Sequence, residues 1–119
     1  MDTQYFKTRE FDSPDEKGSG KMMDENFMKK LLQARILADV AFIVNSAYRT
    51  TSHNKKVGGK PNSSHTFGLA VDLKATDSRT RYRILEALIK VGFHRIGIAK
   101  TFIHVDDDPL KDPAVTWLY

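Results

Sequence analysis

Two short stretches constrain this chain more than any other feature. In Leu69-Ala70-Val71-Asp72-Leu73 and Phe102-Ile103-His104-Val105-Asp106, branched aliphatic residues alternate with residues of another kind. Successive side chains of a β-strand point to opposite faces of the sheet, so each stretch predicts a strand with one face in a core. Leu69, Val71 and Leu73 belong to the inward face of the first strand, and Ile103 and Val105 to that of the second. Ala70 and Asp72 share the other face, as do Phe102, His104 and Asp106. If the strands pair, Asp72 and His104 can lie side by side on one polar face. His65 precedes a turn at Gly68, and glycine there allows the chain to fold tightly back over that face.

Two histidines and one carboxylate are a common zinc ligand set with a fourth position left open. The 119 residues include no cysteine, which excludes disulfide frameworks, thiolate metal sites and cysteine nucleophiles. Any metal must therefore be held by His, Asp or Glu. A lone histidine in an apolar run is more often structural. His65, Asp72 and His104 together, on polar faces of otherwise apolar strands, point instead to one zinc ion per chain and to a small zinc hydrolase.

The remaining pattern suits one domain, residues 1–119, with a modest core. Residues 1–23 read as an irregular arm in which Phe6 and Phe11 dock on the core. Asp24 caps a helix running to Ala38, with Phe27, Leu31, Ala34 and Ala38 at helical spacing and Met28, Leu32 and Leu37 widening the stripe. Residues 40–44 read as a buried strand that delivers Ser46, Tyr48 and Arg49 at its end. Residues 50–64 form a polar loop with a helical turn at 53–57 and reversals at Gly58-Gly59 and Pro61-Asn62. Asp77 or Ser78 caps a second helix with Leu85, Leu88 and Ile89 as its stripe, and Gly92 ends it. Residues 93–99 and 102–105 are two strands joined at Lys100-Thr101. Residues 107–119 read as a C-terminal tail, with Trp117 and Tyr119 either packed on the sheet edge or lining a groove. The element order predicts an α+β fold, a small antiparallel sheet flanked by two main helices.

The formal charge of +4 is spread along the chain. It suits a solvated surface or attraction to a polyanion such as a cell wall or nucleic acid. The dense basic cluster is Lys55, Lys56 and Lys60, without a nucleic-acid motif, so no nucleic-acid partner is expected. No apolar run has the length of a transmembrane helix, and no membrane insertion is expected. The N-terminus lacks the layout of a signal peptide, which predicts a protein made in the cytoplasm. A monomer is expected.

Four motifs carry a family resemblance: Ser46-Ala47-Tyr48-Arg49-Thr50; His53-Asn54 with Val57-Gly58-Gly59; Ser64-His65-x-x-Gly68-x-Ala70-x-Asp72-Leu73; and Phe102-Ile103-His104-Val105-Asp106. Together they resemble the zinc D-Ala-D-Ala carboxypeptidase family, which includes cell-wall endopeptidases of phages. The resemblance covers about residues 40–108, and the arm and first helix resemble the start of short single-domain members. It implies the metal-site plan shared with lysostaphin-type peptidases and the amino-terminal domain of hedgehog proteins. It implies that His65, Asp72 and His104 bind zinc. It implies that Arg49 pairs with a substrate carboxylate or polarises the scissile carbonyl, and that His53 donates to the oxyanion. Tyr48 and Ser64, beside Arg49 and His65, are expected to contact substrate. The implied partner is peptidoglycan or its stem peptides, including the D-Ala-D-Ala end, cut by endopeptidase or carboxypeptidase action. A phage lysis enzyme acting at the cell wall after release fits the resemblance, and so does a cytoplasmic dipeptidase.

One position departs from the family pattern. Many members carry a glutamate three residues before the second zinc histidine as general base, and this chain has Thr101 there. Asp106, two residues after His104 on the same strand face, is expected to take the base role. Holding His104 by a hydrogen bond is the alternative for Asp106. The missing glutamate also favours an alternative function, a non-catalytic zinc-containing cell-wall binding module.

Overall fold

The computed structural model describes residues 2–119. Helix α1 (Glu25–Ala38) leads to strand β1 (Val44–Ser46), then to a short helix α2 (Thr51–Lys56) and a 3-10 turn at Ser64–Phe67. Strand β2 (Ala70–Lys74) and helix α3 (Ser78–Lys90) precede strands β3 (Arg95–Ile98), β4 (Phe102–Asp106) and β5 (Val115–Leu118). The strand order is β1-β2-β4-β3-β5. All neighbours are antiparallel except β5, which runs parallel to β3. The fold is α+β as expected, but the sheet is mixed and has three helices around it. The expected tail is the reason. Val115 donates its backbone N–H to His94 and Tyr119 donates to Ile98, so the segment adds to the sheet as an edge strand.

Local chemistry accounts for the helices. The Asp24 carboxylate accepts the N–H of Phe27, and Asp77 accepts that of Thr80, so each helix begins on a side-chain cap worth about 1 kcal/mol. Phe27, Leu31, Ala34 and Ala38 are buried on α1, while Leu37 faces solvent, so the stripe is narrower than its sequence suggested. On α3 the buried residues are Ile84, Ala87 and Leu88, and Ile89 points outward. The face is rotated from the expected one because Ile84 and Leu88 stack one helical turn apart.

The core lies between these helices and one face of the sheet. Val71, Leu73, Ile96, Ile103 and Val105 are buried there, and Phe27 meets Phe93 edge-on at 5.5 Å. Strand β1 begins later than residues 40–44. It pairs Val44 with Leu73 and Ser46 with Asp72, with an irregularity between. Within the arm, 3-10 turns form at Thr8–Phe11 and Ser19–Met22. Phe6 and Phe11 are buried with ring centroids 5.3 Å apart, and burying each contributes roughly 1.5–3 kcal/mol before entropy is counted. The arm also braces the end of β1. Tyr48 donates its N–H to Phe11, and Thr50 bonds Ser13 and Asp15. Among the described residues, no helix is long and apolar enough to cross a membrane.

Candidate metal centre

Strand pairing aligns one residue from each of the five strands in a row. Ser46 lies opposite Asp72, Asp72 opposite His104, His104 opposite Gly97, and Gly97 opposite Trp117. Their sequence neighbours Leu73, Ile96 and Ile103 point into the core, so the row lies on the other face. The glycine shapes that face. A Cβ on Gly97 would come within 2.5 Å of Trp117 Nε1 and 2.7 Å of Tyr119 Cε2. Its absence lets the indole lie against His104, with ring centroids 5.6 Å apart.

His65 arrives from the 3-10 turn after α2. Ser63 caps that turn, and Gly68 ends it with φ of +69°. A Cβ on Gly68 would meet the Met22 carbonyl at 2.3 Å, so both the backbone angle and the space call for glycine. The His65 ring is buried, and its Nδ1 lies 2.7 Å from the Ala47 carbonyl. Its Nε2 lies 3.4 Å from Asp72 Oδ1. His104 presents Nδ1 to the same oxygen at 2.8 Å, and its Nε2 lies 2.7 Å from Asp106 Oδ2.

These three side chains fit a metal. Their donor atoms lie within 4.8 Å of one another, and adjacent ligands on a tetrahedral zinc stand about 3.3 Å apart. Each imidazole has its second nitrogen engaged, His65 by a carbonyl and His104 by a carboxylate. That arrangement fixes the tautomer and aims the first nitrogen inward, as in metal-ligating histidines. Burial pushes the Asp72 carboxyl up, but hydrogen bonds from His104 and His65, with their charges, hold it well below the usual carboxylate range. Burial lowers the pKa of His104, yet Asp106 and Asp72 on either side raise it above the ordinary histidine value.

Arg49 is the fourth expected residue at the centre. Its Nε donates to Ser46 Oγ at 3.0 Å, its Nη1 to Asn54 Oδ1 at 3.2 Å, and its Nη2 stands 3.7 Å from Asp72 Oδ2. The guanidinium is thus held at the cluster's edge, in a cleft of about 550 Å³ that also holds His65, Asp72, His104, Lys60 and Trp117.

Four other expected residues are placed differently from Arg49. His53 lies beside Pro14, Asp15, Ser52 and Lys56, in a cavity separate from the cleft. Its helix turns it away while its neighbour Asn54 is buried toward Arg49. Tyr48 packs against the hydrophobic core rather than lining the cleft. Ser64 borders the cleft, but its hydroxyl donates to Asp108 and receives Lys111, so it ties the loop to the segment after β4. Asp106 is buried with Oδ1 on Arg95 and Oδ2 on His104 Nε2, behind the ring from the side that faces Asp72. Both oxygens of this carboxylate are engaged by side chains, which suits holding His104 in place. Thr101 is exposed in the β3–β4 turn and lies outside the cleft.

The sequence expectation missed Asn54 as a partner of Arg49, Arg95 as a partner of Asp106, and Lys111. A signal for Arg95 existed. It alternates with Ile96 and Ile98 on the same face as Gly97, a polar residue at a position the pleat assigns to the site.

A family model described as Peptidase M15 matches residues 4–106. The matched span contains His65, Asp72, His104, Arg49 and Asp106 and stops before β5. No curated protein gives a match.

Proposed function

This chain belongs to the Peptidase M15 family of zinc metallopeptidases, and on that premise we propose that it hydrolyses amide bonds in the stem peptides of peptidoglycan. The observation that carries the proposal is the convergence of His65 Nε2, Asp72 Oδ1 and His104 Nδ1, each histidine held from behind. These residues would hold one zinc ion per chain. Bound zinc would supply Lewis acidity toward the carbonyl and make water a nucleophile near neutral pH.

The chain's own groups do the rest. Ser46 and Asn54 hold the Arg49 fork in place, so its donors meet developing negative charge without reorganising. Arginine suits this because its guanidinium is planar and always charged. Asp106 and the Ala47 carbonyl keep the two imidazoles aimed at the cluster. The cleft-lining carboxylates are Asp72 and Asp106, and both are engaged. As the C–O bond forms and the C–N bond breaks, the proton given up by the attacking water would pass through solvent to the leaving amine nitrogen. Release of the protein to the cell wall, as in phage-type lysis, would bring it to this substrate.

Thr101 in place of the glutamate favours a second reading, a zinc-containing module that binds wall peptides without cutting them. Digestion of purified peptidoglycan, with mass spectrometry of the soluble fragments, separates the two. The peptidase reading expects new free amino and carboxyl ends that a chelator abolishes and zinc restores. Intact fragments with chelator-sensitive binding to the wall would establish the module instead.

A further inference from the structure

Arg95 is a charge taken out of water on a strand that otherwise carries isoleucines and a glycine. It is 9% exposed, and a buried guanidinium costs several kcal/mol unless it is well paired. Its place follows from register. Ile96 pairs with Val105 and Gly97 with His104, and one further step brings Arg95 opposite Asp106. Nε then donates to Asp106 Oδ1 at 2.7 Å.

The form of this pair is informative. An arginine that only neutralises a carboxylate commonly meets it fork to fork, with two parallel hydrogen bonds. Here Asp106 gives Arg95 one oxygen and gives the other to His104 Nε2. Arg95 uses Nη1 elsewhere, donating to the carbonyl of Asp112, and its guanidinium lies 5.2 Å from the centre of the Trp117 ring. Asp112 and Trp117 both lie beyond the residues that match the family model. One side chain thus spans from the carboxylate behind a metal ligand to the segment that forms the aromatic wall of the cleft.

We propose that Arg95 is a positioning residue for the metal centre, clamping Asp106 against His104 and tying the C-terminal strand, with Trp117, to that same ligand. The inference rests on the metal-binding proposal above and extends it to a residue that does not touch the metal. Without the clamp, Asp106 is free to rotate, His104 loses the partner that fixes its ring, and Trp117 loses the guanidinium beneath it. The effect on the cluster travels through two hydrogen bonds, Arg95 to Asp106 and Asp106 to His104.

The test is metal affinity, read without turnover. Zinc affinity of the unmutated protein, Arg95→Lys and Arg95→Met is measured by competition with a chromophoric chelator, and the cobalt-substituted forms are compared by visible absorption. Loss of a partner behind a ligating histidine typically weakens metal binding by about 10–100-fold, and both variants are expected to fall by about 10-fold or more with altered cobalt bands. Lysine keeps the charge but cannot reach Asp106 and Asp112 together, so it should not restore wild-type affinity. Fluorescence of the single tryptophan should shift to the red in both variants. A structural ion pair alone would lower the melting temperature of the metal-free variants and leave affinity and cobalt bands unchanged, and that result overturns the proposal. An isotope-labelled wild type gives a readout that does not depend on variant folding. Zinc should shift the Arg95 Nε–H resonance, and an unmoved resonance also overturns the proposal. Wild type that binds no zinc removes the metal reading and this inference with it, whereas zinc-binding wild type with equally tight variants removes this inference alone.

Discussion

Asp72 and His104 meet directly across β2 and β4, with His104 Nδ1 2.8 Å from Asp72 Oδ1. In the metal-free protein this contact sets a pH dependence. Asp72 and Asp106 raise the His104 pKa above its ordinary 6.5, so the stability it contributes is complete below that value and is lost as pH rises through the raised folded value. The Asp72 pKa is lowered from 3.8, so its contribution is present above that value and is lost as pH falls through the lower folded one. The stability that these two groups contribute to the metal-free protein is expected to be greatest between about pH 4 and 6.5. Zinc needs a neutral His104, so its affinity should rise with pH instead. Melting temperatures with chelator should fall above about pH 6.5 while those with excess zinc do not. A chelated protein that gains stability steadily from neutral to alkaline pH contradicts the assigned shift.

The ligand set makes a stoichiometric prediction. Metal analysis of purified protein should give about one zinc per chain, and His65→Ala and His104→Ala should each bring it near zero. Full zinc content in both variants would remove these residues as ligands.

Asp106→Asn separates two roles. As the residue behind His104, Asp106 should lose about 10–100-fold in zinc affinity when changed, with turnover largely recovered at saturating zinc. A general base would instead lose about 10²–10⁴-fold in turnover however much zinc is added. Measuring activity and zinc content on the same sample decides between them.

Arg49 and His53 are expected to differ sharply. Arg49→Lys keeps the charge but cannot bond Ser46 and Asn54 while facing the cleft, so peptidoglycan hydrolysis should fall by about 10-fold or more with zinc retained. His53→Ala should stay within about 2-fold of wild type, as for a surface change away from the site. Equal losses in the two variants would return His53 to the site.

Gly97→Ala tests the aromatic wall. The new methyl would meet Trp117 Nε1 at 2.5 Å, so the indole must leave its place against His104. Overpacking of this kind costs about 1–3 kcal/mol, read in a denaturant melt, with a red shift in tryptophan emission. Unchanged emission and stability would show that Trp117 is not seated on Gly97.

Much of this was legible in the chain because local patterns carry it. Alternation in residues 69–73 and 102–106 separates core from site, since a strand has a period of two whatever surrounds it. Helix caps at Asp24 and Asp77 act on backbone groups three residues away, so they too can be read locally. Family motifs added Arg49 and His65, whose approach to the sheet depends on a loop.

Other features depend on partners distant in sequence. Whether Asp106 is a base or a support depends on which side of the imidazole it occupies and on Arg95, eleven residues away, taking its other oxygen. His53 and Asn54 are adjacent in the chain, and only the orientation of α2 sends Asn54 to Arg49 and His53 to another surface. The final strand shows the same division. The sequence by itself determined a two-faced sheet with His65, Asp72 and His104 available on its polar side. The tertiary structure alone decided that residues 115–118 would run parallel to β3 and bring Trp117 against His104. The physical reason is reach. Alternation and capping are set by residues within a turn or a strand, whereas the parallel edge and the shared carboxylate require backbones and side chains that meet only after the core has closed.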